Sequence, residues 1–265
     1  MATLHLIPDP FRLNESFRLA ESVGAAFEYN DFFSPALLDD RDALSERIHA
    51  YCSLPRDRSR DTLHGAFYDI TVHSQDPLIR ETSRKRVWQS LECAEALGVR
   101  AVVFHTGTIA NFSNRPYEEG WIEENALFFH QVSEAFPKIG ILMENMFDMN
   151  PELMAALSDR MAAVPQFGIC LDWSHAAVFG SSYGDVKAWF AKLQPYLRHL
   201  HINDHDGLRD LHLPIGQGIT DWRAFSDCLY ALELSPSVLI EVTSLEAQRT
   251  SLQYMKNNGI YPFTD

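Results

Sequence analysis

Short apolar runs recur along the whole chain, and each is followed by a segment with the alternating polar and apolar pattern of a helix. Several of the runs are apolar at nearly every position, as in RAVVFHTG and SVLIEVT. Such runs are typical of strands covered on both faces, as in a parallel sheet. The predicted strands are 3–8, 26–30, 62–67, 100–107, 140–146, 167–173, 198–204 and 237–243. The predicted helices lie near 14–23, 38–51, 77–97, 118–135, 151–163, 185–197, 222–232 and 245–257.

Eight strand and helix units in succession predict an α/β fold of one kind, the (β/α)8 TIM barrel. The chain has 265 residues, of which 46% are hydrophobic, and such a barrel typically needs about 250 residues. An open doubly wound sheet is the alternative, but its glycine-rich G-x-G-x-x-G loop does not follow the first run. Because the chain shows no linker or low-complexity segment, we expect residues 1–265 to form a single barrel domain.

Carboxylate and imidazole side chains follow the ends of the predicted strands, where the active sites of such barrels lie. A lone histidine in a strand is more often a packing or surface residue, and we treat His5, His49, His73, His130, His199 and His205 as background. Glu144 and Glu241, however, lie in otherwise apolar strands, where an unpaired carboxylate is costly. A salt-bridge cluster is the alternative, but among Arg and Lys only Arg209 lies near these strand ends. The candidate metal ligands are His64, His105, Glu144, Asp172, His175, His201, Asp210, His212 and Glu241.

The candidate ligands divide by chemistry into two sets. The oxygen-rich set suits Mn²⁺, Mg²⁺ or Zn²⁺, and it consists of Glu144, Asp172, His201 and Glu241. The additional histidines shift the preference towards Zn²⁺. Nine ligands are too many for one ion, so either two or three ions bind or several of these side chains bind substrate.

The sequence resembles the xylose isomerase-like barrel superfamily, which contains sugar isomerases and epimerases as well as endonuclease IV, of AP endonuclease family 2. The resemblance is most specific in FGICLDWSHA, HLHINDHDGLRDLHLPIGQGITDW and VLIEVTS. The resemblance to ketose epimerases implies one metal ion on Glu144, Asp172, His201 and Glu241. The resemblance to endonuclease IV implies a trinuclear zinc cluster on all nine candidate ligands. The Asp210-Leu211-His212 segment followed by PIGQG is the feature most similar to that second pattern.

The first functional hypothesis is a sugar or sugar-phosphate isomerase or epimerase that depends on a divalent metal ion. The ion would chelate a carbonyl and the neighbouring hydroxyl group, acidify the C–H bond between them and stabilise an enediolate. Glu144 and Glu241 would abstract and return the proton, and His175 would orient or protonate a substrate oxygen. The candidate walls of the sugar site are Trp173, Phe67 and Phe11.

The alternative hypothesis is a zinc phosphoesterase like endonuclease IV, acting on a small phosphoester or, with less support, on abasic DNA. Two or three zinc ions would bind the phosphate and activate water for in-line attack. Glu144 and Glu241 would then bridge ions or position the nucleophile. The residues that would act only as metal ligands are His64, His105, Asp210 and His212. The acidic net charge favours the isomerase, whereas the pattern of nine candidate ligands favours the phosphoesterase. A third alternative, a sugar-binding module without catalysis, would need no such set of metal ligands.

Composition limits the expected partners and the expected compartment. The formal net charge is −14 and the pI is near 5.1, whereas nucleic-acid binding needs a basic surface. We therefore expect a small carbohydrate or sugar phosphate as substrate and no nucleic acid. No apolar run approaches a membrane span, no signal peptide is visible, and the four cysteines form no C-x-x-C pair, which favours a cytoplasmic location. A homodimer is expected only because it is the commonest oligomer.

Overall fold

A closed barrel of eight parallel strands in sequence order forms the centre of the computed structural model, which describes residues 2–180 and 186–263. The strands are β1 (Leu4–Leu6), β2 (Ala26–Tyr29), β3 (Thr62–His64), β4 (Ala101–His105), β5 (Gly140–Glu144), β6 (Phe167–Asp172), β7 (Leu197–Ile202) and β8 (Ser237–Ile240). The helices are α1 (Leu13–Val23), α2 (Pro35–Asp39), α3 (Arg41–Cys52), α4 (Pro77–Leu97), α5 (Arg115–Ala135), α6 (Glu152–Arg160), α7 (Trp173–Val178), α8 (Val186–Leu193), α9 (Trp222–Ala231) and α10 (Leu245–Asn258). The predicted (β/α)8 TIM barrel is confirmed.

Burial explains why the strands are apolar at nearly every position. All six residues of β6 and all four residues of β8 are buried, because one face packs inside the barrel and the other packs under the helices. Large side chains such as Trp189 and Phe225 fill the layer between barrel and helices. Within the described residues, no helix combines the length and apolar composition needed to cross a membrane.

The helices differ from their predicted bounds where a side chain or a proline ends a turn. The predicted helix 38–51 is divided into α2 and α3, because Asp40 leaves the helical conformation and its carboxylate caps α3. The predicted helix 222–232 does begin at Trp222, where the Asp221 side chain caps it by accepting a hydrogen bond from Ala224 N. Of the predicted helix 185–197, residue 185 lies outside the described residues, and α8 ends at Leu193, before Pro195. The short helix α7 was not predicted.

The pairing of the strands places their polar ends at one level. His105 on β4 is the register partner of Glu144 on β5, and Asp172 on β6 is the partner of His201 on β7. Because all eight strands are parallel, their carboxyl ends meet at the same rim of the barrel. The strands alone therefore place four candidate ligands side by side, and the loops add further ligands to them.

Candidate metal centre

Glu144, the last residue of β5, lies at the centre of the candidate ligands and is completely buried. Its Oε2 atom is 3.2 Å from His64 Nε2 and 3.5 Å from His105 Nε2. Its Oε1 atom is 3.0 Å from His201 Nδ1 and 3.7 Å from His175 Nδ1. Burial acts to raise the pKa of Glu144, but the histidines, His201 first among them, hold this pKa well below its ordinary value. The carboxylate is therefore charged and faces four imidazoles.

The candidate ligands form three overlapping groups, and within each group the ligand atoms lie within 4.8 Å of one another. The inner group is His64, Glu144, His201 and Glu241, the middle group is Glu144, Asp172 and His175, and the outer group is His175, Asp210 and His212. Glu144 joins the inner and middle groups, and His175 joins the middle and outer groups. His105 borders the inner group through its contact with Glu144. The nine residues singled out from the sequence thus meet in one cluster.

The chemistry and spacing of this cluster fit divalent cations. Zinc binds nitrogen and oxygen at about 2.0–2.2 Å, so the ligands of a tetrahedral ion lie about 3.3–3.6 Å apart. The contacts between imidazole and carboxylate atoms in the cluster span 3.0 to 3.8 Å. Three buried oxygens of the cluster also have no hydrogen-bond partner of full geometry among the described residues, namely Glu144 Oε2, Asp172 Oδ2 and Asp210 Oδ1. Cations would satisfy these oxygens, which are costly to bury alone.

Main-chain carbonyl groups fix the orientation of three of the histidines. The Nδ1 atom of His64 lies 3.0 Å from Gly65 O. The Nδ1 atom of His175 lies 2.9 Å from Asn145 O, and that of His212 lies 2.9 Å from Glu241 O. Because a carbonyl oxygen only accepts, each Nδ1 donates, and Nε2 of each ring faces the carboxylates, in the position to bind a cation. Histidines that bind metal ions usually have this arrangement.

The turn after β6 brings Asp172 and His175 together. Asp172 caps α7, and its Oδ1 accepts a hydrogen bond from His175 N at 2.5 Å. Asn145 holds the main chain of Asp172, since it donates to Asp172 O and accepts from Asp172 N. Burial raises the pKa of Asp172 well above its ordinary value, and the nearby carboxylates of Glu241 and Glu144 raise it further. His175 acts in the opposite direction but does not outweigh them. A cation is what this site needs to keep Asp172 charged.

A structured loop after β7 carries Asp210 and His212. Its base is an antiparallel bridge between Asp204 and Leu213. The Asp204 carboxylate accepts hydrogen bonds from Gly216 N, Thr220 N and Trp222 Nε1. His212 has a left-handed φ of 47°, a conformation that histidine adopts more readily than most residues other than glycine. The loop therefore has a defined shape that aims both side chains at His175.

Two residues beneath the cluster were missed by the sequence analysis. His201 Nε2 points into the barrel and lies 2.9 Å from Glu28 Oε1, and Glu28 Oε2 lies 3.2 Å from His199 Nε2. Glu28 is a carboxylate in an apolar strand, as Glu144 is, and His199 shares a strand face with His201 because they are two residues apart. These signals were present in the sequence, but His199 was assigned to the background.

The aromatic residues predicted to wall a substrate have different environments. The Phe67 ring lies 5.1 Å from the His64 ring and 5.3 Å from the His105 ring, so it borders the cluster. Phe11 is 88% exposed on the loop after β1, with the Arg47 guanidinium 5.9 Å from its ring. A role for either residue in substrate binding stays a prediction.

The prediction that Trp173 walls a substrate is wrong. Its side chain is buried and packs on Phe190 of α8 and Phe225 of α9, at 5.3 and 4.9 Å between ring centroids. Consecutive residues at a strand end point to opposite faces of the sheet. Since Asp172 faces the cluster, Trp173 faces the layer of helices.

A cleft with the size of a small-molecule site lies next to the cavity that borders the cluster. A cavity of about 190 Å³ is lined by His105 and Phe67, among others. It shares Thr108 and Phe147 with a larger cleft of about 500 Å³ between the loops that follow β4 and β5. Ligand sites of small molecules typically have volumes of about 300–1,000 Å³.

Arginines near this rim are paired with surface carboxylates. Arg209, the cation singled out in the sequence, lies 2.7 Å from Asp206. Arg12 lies 2.7 Å from Glu15 and Arg115 lies 2.7 Å from Glu119. None of these three cations neutralises the cluster, so the alternative of a salt-bridge cluster built on Arg209 is wrong.

Proteins that are similar to this chain in sequence or in fold include some with the names of two kinds of enzyme. The chain is 26% identical over 200 residues to the probable endonuclease 4 of Chlorobium phaeovibrioides, which covers 68% of this chain and 70% of that relative. The TTHB071 protein from Thermus thermophilus, in a structure obtained by soaking with ZnCl₂, is 25% identical, with a TM-score of 0.76 over 96% of each chain. A D-tagatose 3-epimerase-like protein is 20% identical, with a TM-score of 0.74 over 97% of this chain and 96% of that chain, a likeness of fold alone.

One family pattern covers most of the barrel. The pattern of the xylose isomerase-like TIM barrel matches residues 17–258, which include strands β2 to β8. The match also contains every residue of the ligand cluster, from His64 to Glu241. It confirms the resemblance drawn from FGICLDWSHA and the stretches that follow it, and the chain belongs to the xylose isomerase-like TIM barrel family.

Proposed function

We propose that this protein is a metal-dependent hydrolase of small phosphoesters. The observation that carries the proposal is the outer group, in which His175, Asp210 and His212 place their ligand atoms within 4.8 Å of one another, beyond the inner and middle groups. An isomerase of the kind first expected needs one ion, so it leaves the outer group without a purpose. Centres with several ions are typical of enzymes that displace an oxygen from phosphorus, because they stabilise both the attacking and the leaving oxygen.

The three groups would hold the cations, and zinc is the cation that their imidazole content favours. When bound, such cations supply positive charge to phosphoryl oxygens and lower the pKa of a water molecule. The chain itself fixes the geometry, since carbonyl groups orient His64, His175 and His212. Asn145 holds Asp172 through two hydrogen bonds. This preorganisation keeps the charged oxygens in place before a substrate arrives.

The charge of the protein supports a small substrate over a nucleic acid. The formal net charge is −14, and Arg12, Arg115 and Arg209 are paired with carboxylates at the rim. A nucleic acid needs several cationic contacts along its backbone. A single phosphate group can instead be bound by the cations of the centre, and the adjacent cleft of about 500 Å³ accommodates a small molecule. The name endonuclease belongs to the relative, and from it we take only the reaction type.

The test is a count of bound ions together with a panel of substrates. Purified protein is loaded with Zn²⁺, dialysed and analysed for metal per chain, and it is then assayed with phosphomonoesters, phosphodiesters and a duplex with an abasic site. We expect two or three ions per chain and hydrolysis of small phosphoesters that chelation abolishes. One ion per chain at saturation, with no phosphoester cleaved, contradicts the proposal.

A second candidate function is the isomerisation or epimerisation of a small sugar. It is supported by the positions of Glu144 and Glu241, whose Oε1 atoms lie 3.0 and 3.6 Å from the same atom, His201 Nδ1. Two carboxylates around one ion are what proton removal and return at a substrate carbon require. Solvent deuterium incorporated next to the carbonyl of a sugar identifies this reaction. This candidate predicts that the exchange survives loss of the outer group, for example in Asp210→Asn.

A further inference from the structure

The interior of the barrel beneath the cluster holds polar residues that the proposed reaction does not use. Glu28 on β2 is completely buried, and Thr62 of the neighbouring strand donates a hydrogen bond of 2.6 Å to its Oε2. His199 Nε2 lies 3.2 Å from the same oxygen. A carboxylate in the middle of a barrel is costly unless each of its oxygens has a partner.

The other oxygen of Glu28 faces the metal centre through His201. Glu28 Oε1 lies 2.9 Å from His201 Nε2. Neither atom has a hydrogen-bond partner of full geometry among the described residues, so this close contact is the interaction open to both. The opposite nitrogen of the ring, Nδ1, is 3.0 Å from Glu144 Oε1. His201 therefore lies between the carboxylate of the inner group and a second carboxylate below it.

The orientation of His201 is the reverse of that of the other oriented histidines. His64, His175 and His212 place Nδ1 on a main-chain carbonyl group and turn Nε2 to the cluster. His201 turns Nδ1 to the cluster, so its Nε2 needs an acceptor inside the barrel. The main chain of β7 is paired with β6 and β8 on its two sides. The Cys170 thiol lies near His201 but is a weak acceptor, and the carboxylate in reach of Nε2 is Glu28 on β2.

We propose that Glu28 is a positioning residue of the metal centre, whose carboxylate accepts the His201 Nε2 proton and holds the ring with Nδ1 directed at the inner group. A carboxylate partner of this kind fixes the tautomer of a metal-binding histidine and increases its basicity. The inference rests on the metal centre of the proposed function and is independent of the reaction performed there. Loss of such a partner typically weakens metal binding by about 10–100-fold.

The test is the affinity of the metal-free protein for Zn²⁺ and Co²⁺, measured by competition with a chelator. Glu28→Gln keeps an acceptor for the Nε2 proton but removes the charge, and Glu28→Met keeps the length of the side chain without an acceptor. We expect affinity to fall in the order wild type, Glu28→Gln, Glu28→Met, with the last weaker by about 10–100-fold. The absorption spectrum of bound Co²⁺ should change in Glu28→Met, because the His201 ring is no longer held.

Two further variants separate positioning from general damage to the barrel. Thr62→Val removes a buried hydroxyl group from Glu28 but leaves the carboxylate beside His201, and it should bind metal within a few-fold of wild type. In a His201→Asn background, Glu28→Met should cause no further loss, because the residue through which Glu28 acts is gone. An equal loss in both backgrounds, or wild-type affinity of folded Glu28→Met, overturns the inference.

The outcomes also distinguish this inference from the proposed function. If the wild-type protein binds no divalent metal, the proposed function fails. If the wild-type protein binds metal and the Glu28 variants bind it equally well, only the role of Glu28 is wrong. Circular dichroism establishes that each variant is folded, and if Glu28→Met does not fold, unchanged affinity and an unchanged Co²⁺ spectrum in Glu28→Gln are sufficient to reject the role.

Discussion

Asp210 Oδ2 lies 3.2 Å from His175 Nε2, so the loop after β7 and the short helix after β6 meet in the outer group. The same oxygen lies 3.0 Å from His212 Nε2. Burial acts to raise the pKa of Asp210, but hydrogen bonding to His175 and His212 outweighs it and holds this pKa well below its ordinary value. Asp210 is therefore an anion held between two imidazoles, and its substitution tests the outer group.

Asp210→Asn should remove one ion per chain and reduce phosphoester hydrolysis by at least about 100-fold. An amide has no negative charge to offer a cation, and the variant leaves the inner group unchanged. Metal per chain after dialysis and kcat/KM for a small phosphoester measure the two effects.

Asp206→Asn is the matched control, because it makes the same change four residues earlier in the same loop. Asp206 pairs with Arg209 at the surface, so this variant should keep the full metal content and activity. Equal losses in the two variants would show that the loop, and not an ion on Asp210, is responsible.

Asp172→Asn should lose metal and activity but should make the metal-free protein more stable. The carboxylate is completely buried, and burial together with Glu241 and Glu144 raises its pKa against the effect of His175. The metal-free fold must protonate this buried carboxylate, whereas the unfolded chain keeps it charged at neutral pH. The amide avoids that cost, and its Oδ1 can still accept from His175 N. Thermal unfolding in a chelator should show a higher Tm than wild type, and zinc titration should show weaker binding by at least about 100-fold. A lower Tm without metal, or metal retained, contradicts this account.

Phe67 and Trp173 should respond oppositely to truncation. Trp173→Ala should reduce the free energy of unfolding by about 3–5 kcal/mol, because the ring packs between α8 and α9. Its KM under conditions where it is folded should equal that of wild type. Phe67→Ala should instead increase KM, since its ring borders His64 and His105. Denaturant titration measures the stability of both variants, and steady-state kinetics measures their KM. An increased KM in Trp173→Ala would indicate that Trp173 does contact the substrate.

His73 should make stability fall in acid. Burial lowers the pKa of this histidine from 6.5 to about 4, so between these two values the unfolded chain binds a proton that the folded chain does not. The free energy of unfolding should therefore decrease as the pH falls from 6.5 to 4, by up to about 3 kcal/mol. His73→Gln should remove the part of the slope that comes from this residue. His130→Gln, at an exposed position on α5, is the control and should keep it.

The strands and the ligands could be predicted from the sequence because both leave a local signal. An apolar run that ends in a carboxylate or an imidazole is visible without coordinates, and the parallel barrel brings such ends together, as for His105 beside Glu144. The loop residues Asp210 and His212 could be predicted because they belong to a recognisable segment, Asp210-Leu211-His212 followed by PIGQG. The number of ions that the cluster could hold did not follow from the sequence, because it depends on distances between groups.

The errors came from relationships that only the folded chain contains. Glu28 and His201 lie on opposite walls of the barrel, 173 positions apart by their numbers, and neither residue signals the other along the chain. Trp173 follows a ligand directly, but the pleat turns it away from the site. Both cases concern the direction of a side chain, which depends on strand register and on where a turn begins.

The bridge between Asp204 and Leu213 closes the loop that carries the outer group, and the Asp204 carboxylate ties its return to α9. The loop is thus closed at its own base and is joined to the end of β8 by the hydrogen bond between His212 Nδ1 and Glu241 O. Residues between Asp204 and Leu213 take no part in the pairing of the eight barrel strands. Changes in this one loop can therefore alter the number of ions that such a barrel binds, and with it the reaction that the barrel catalyses.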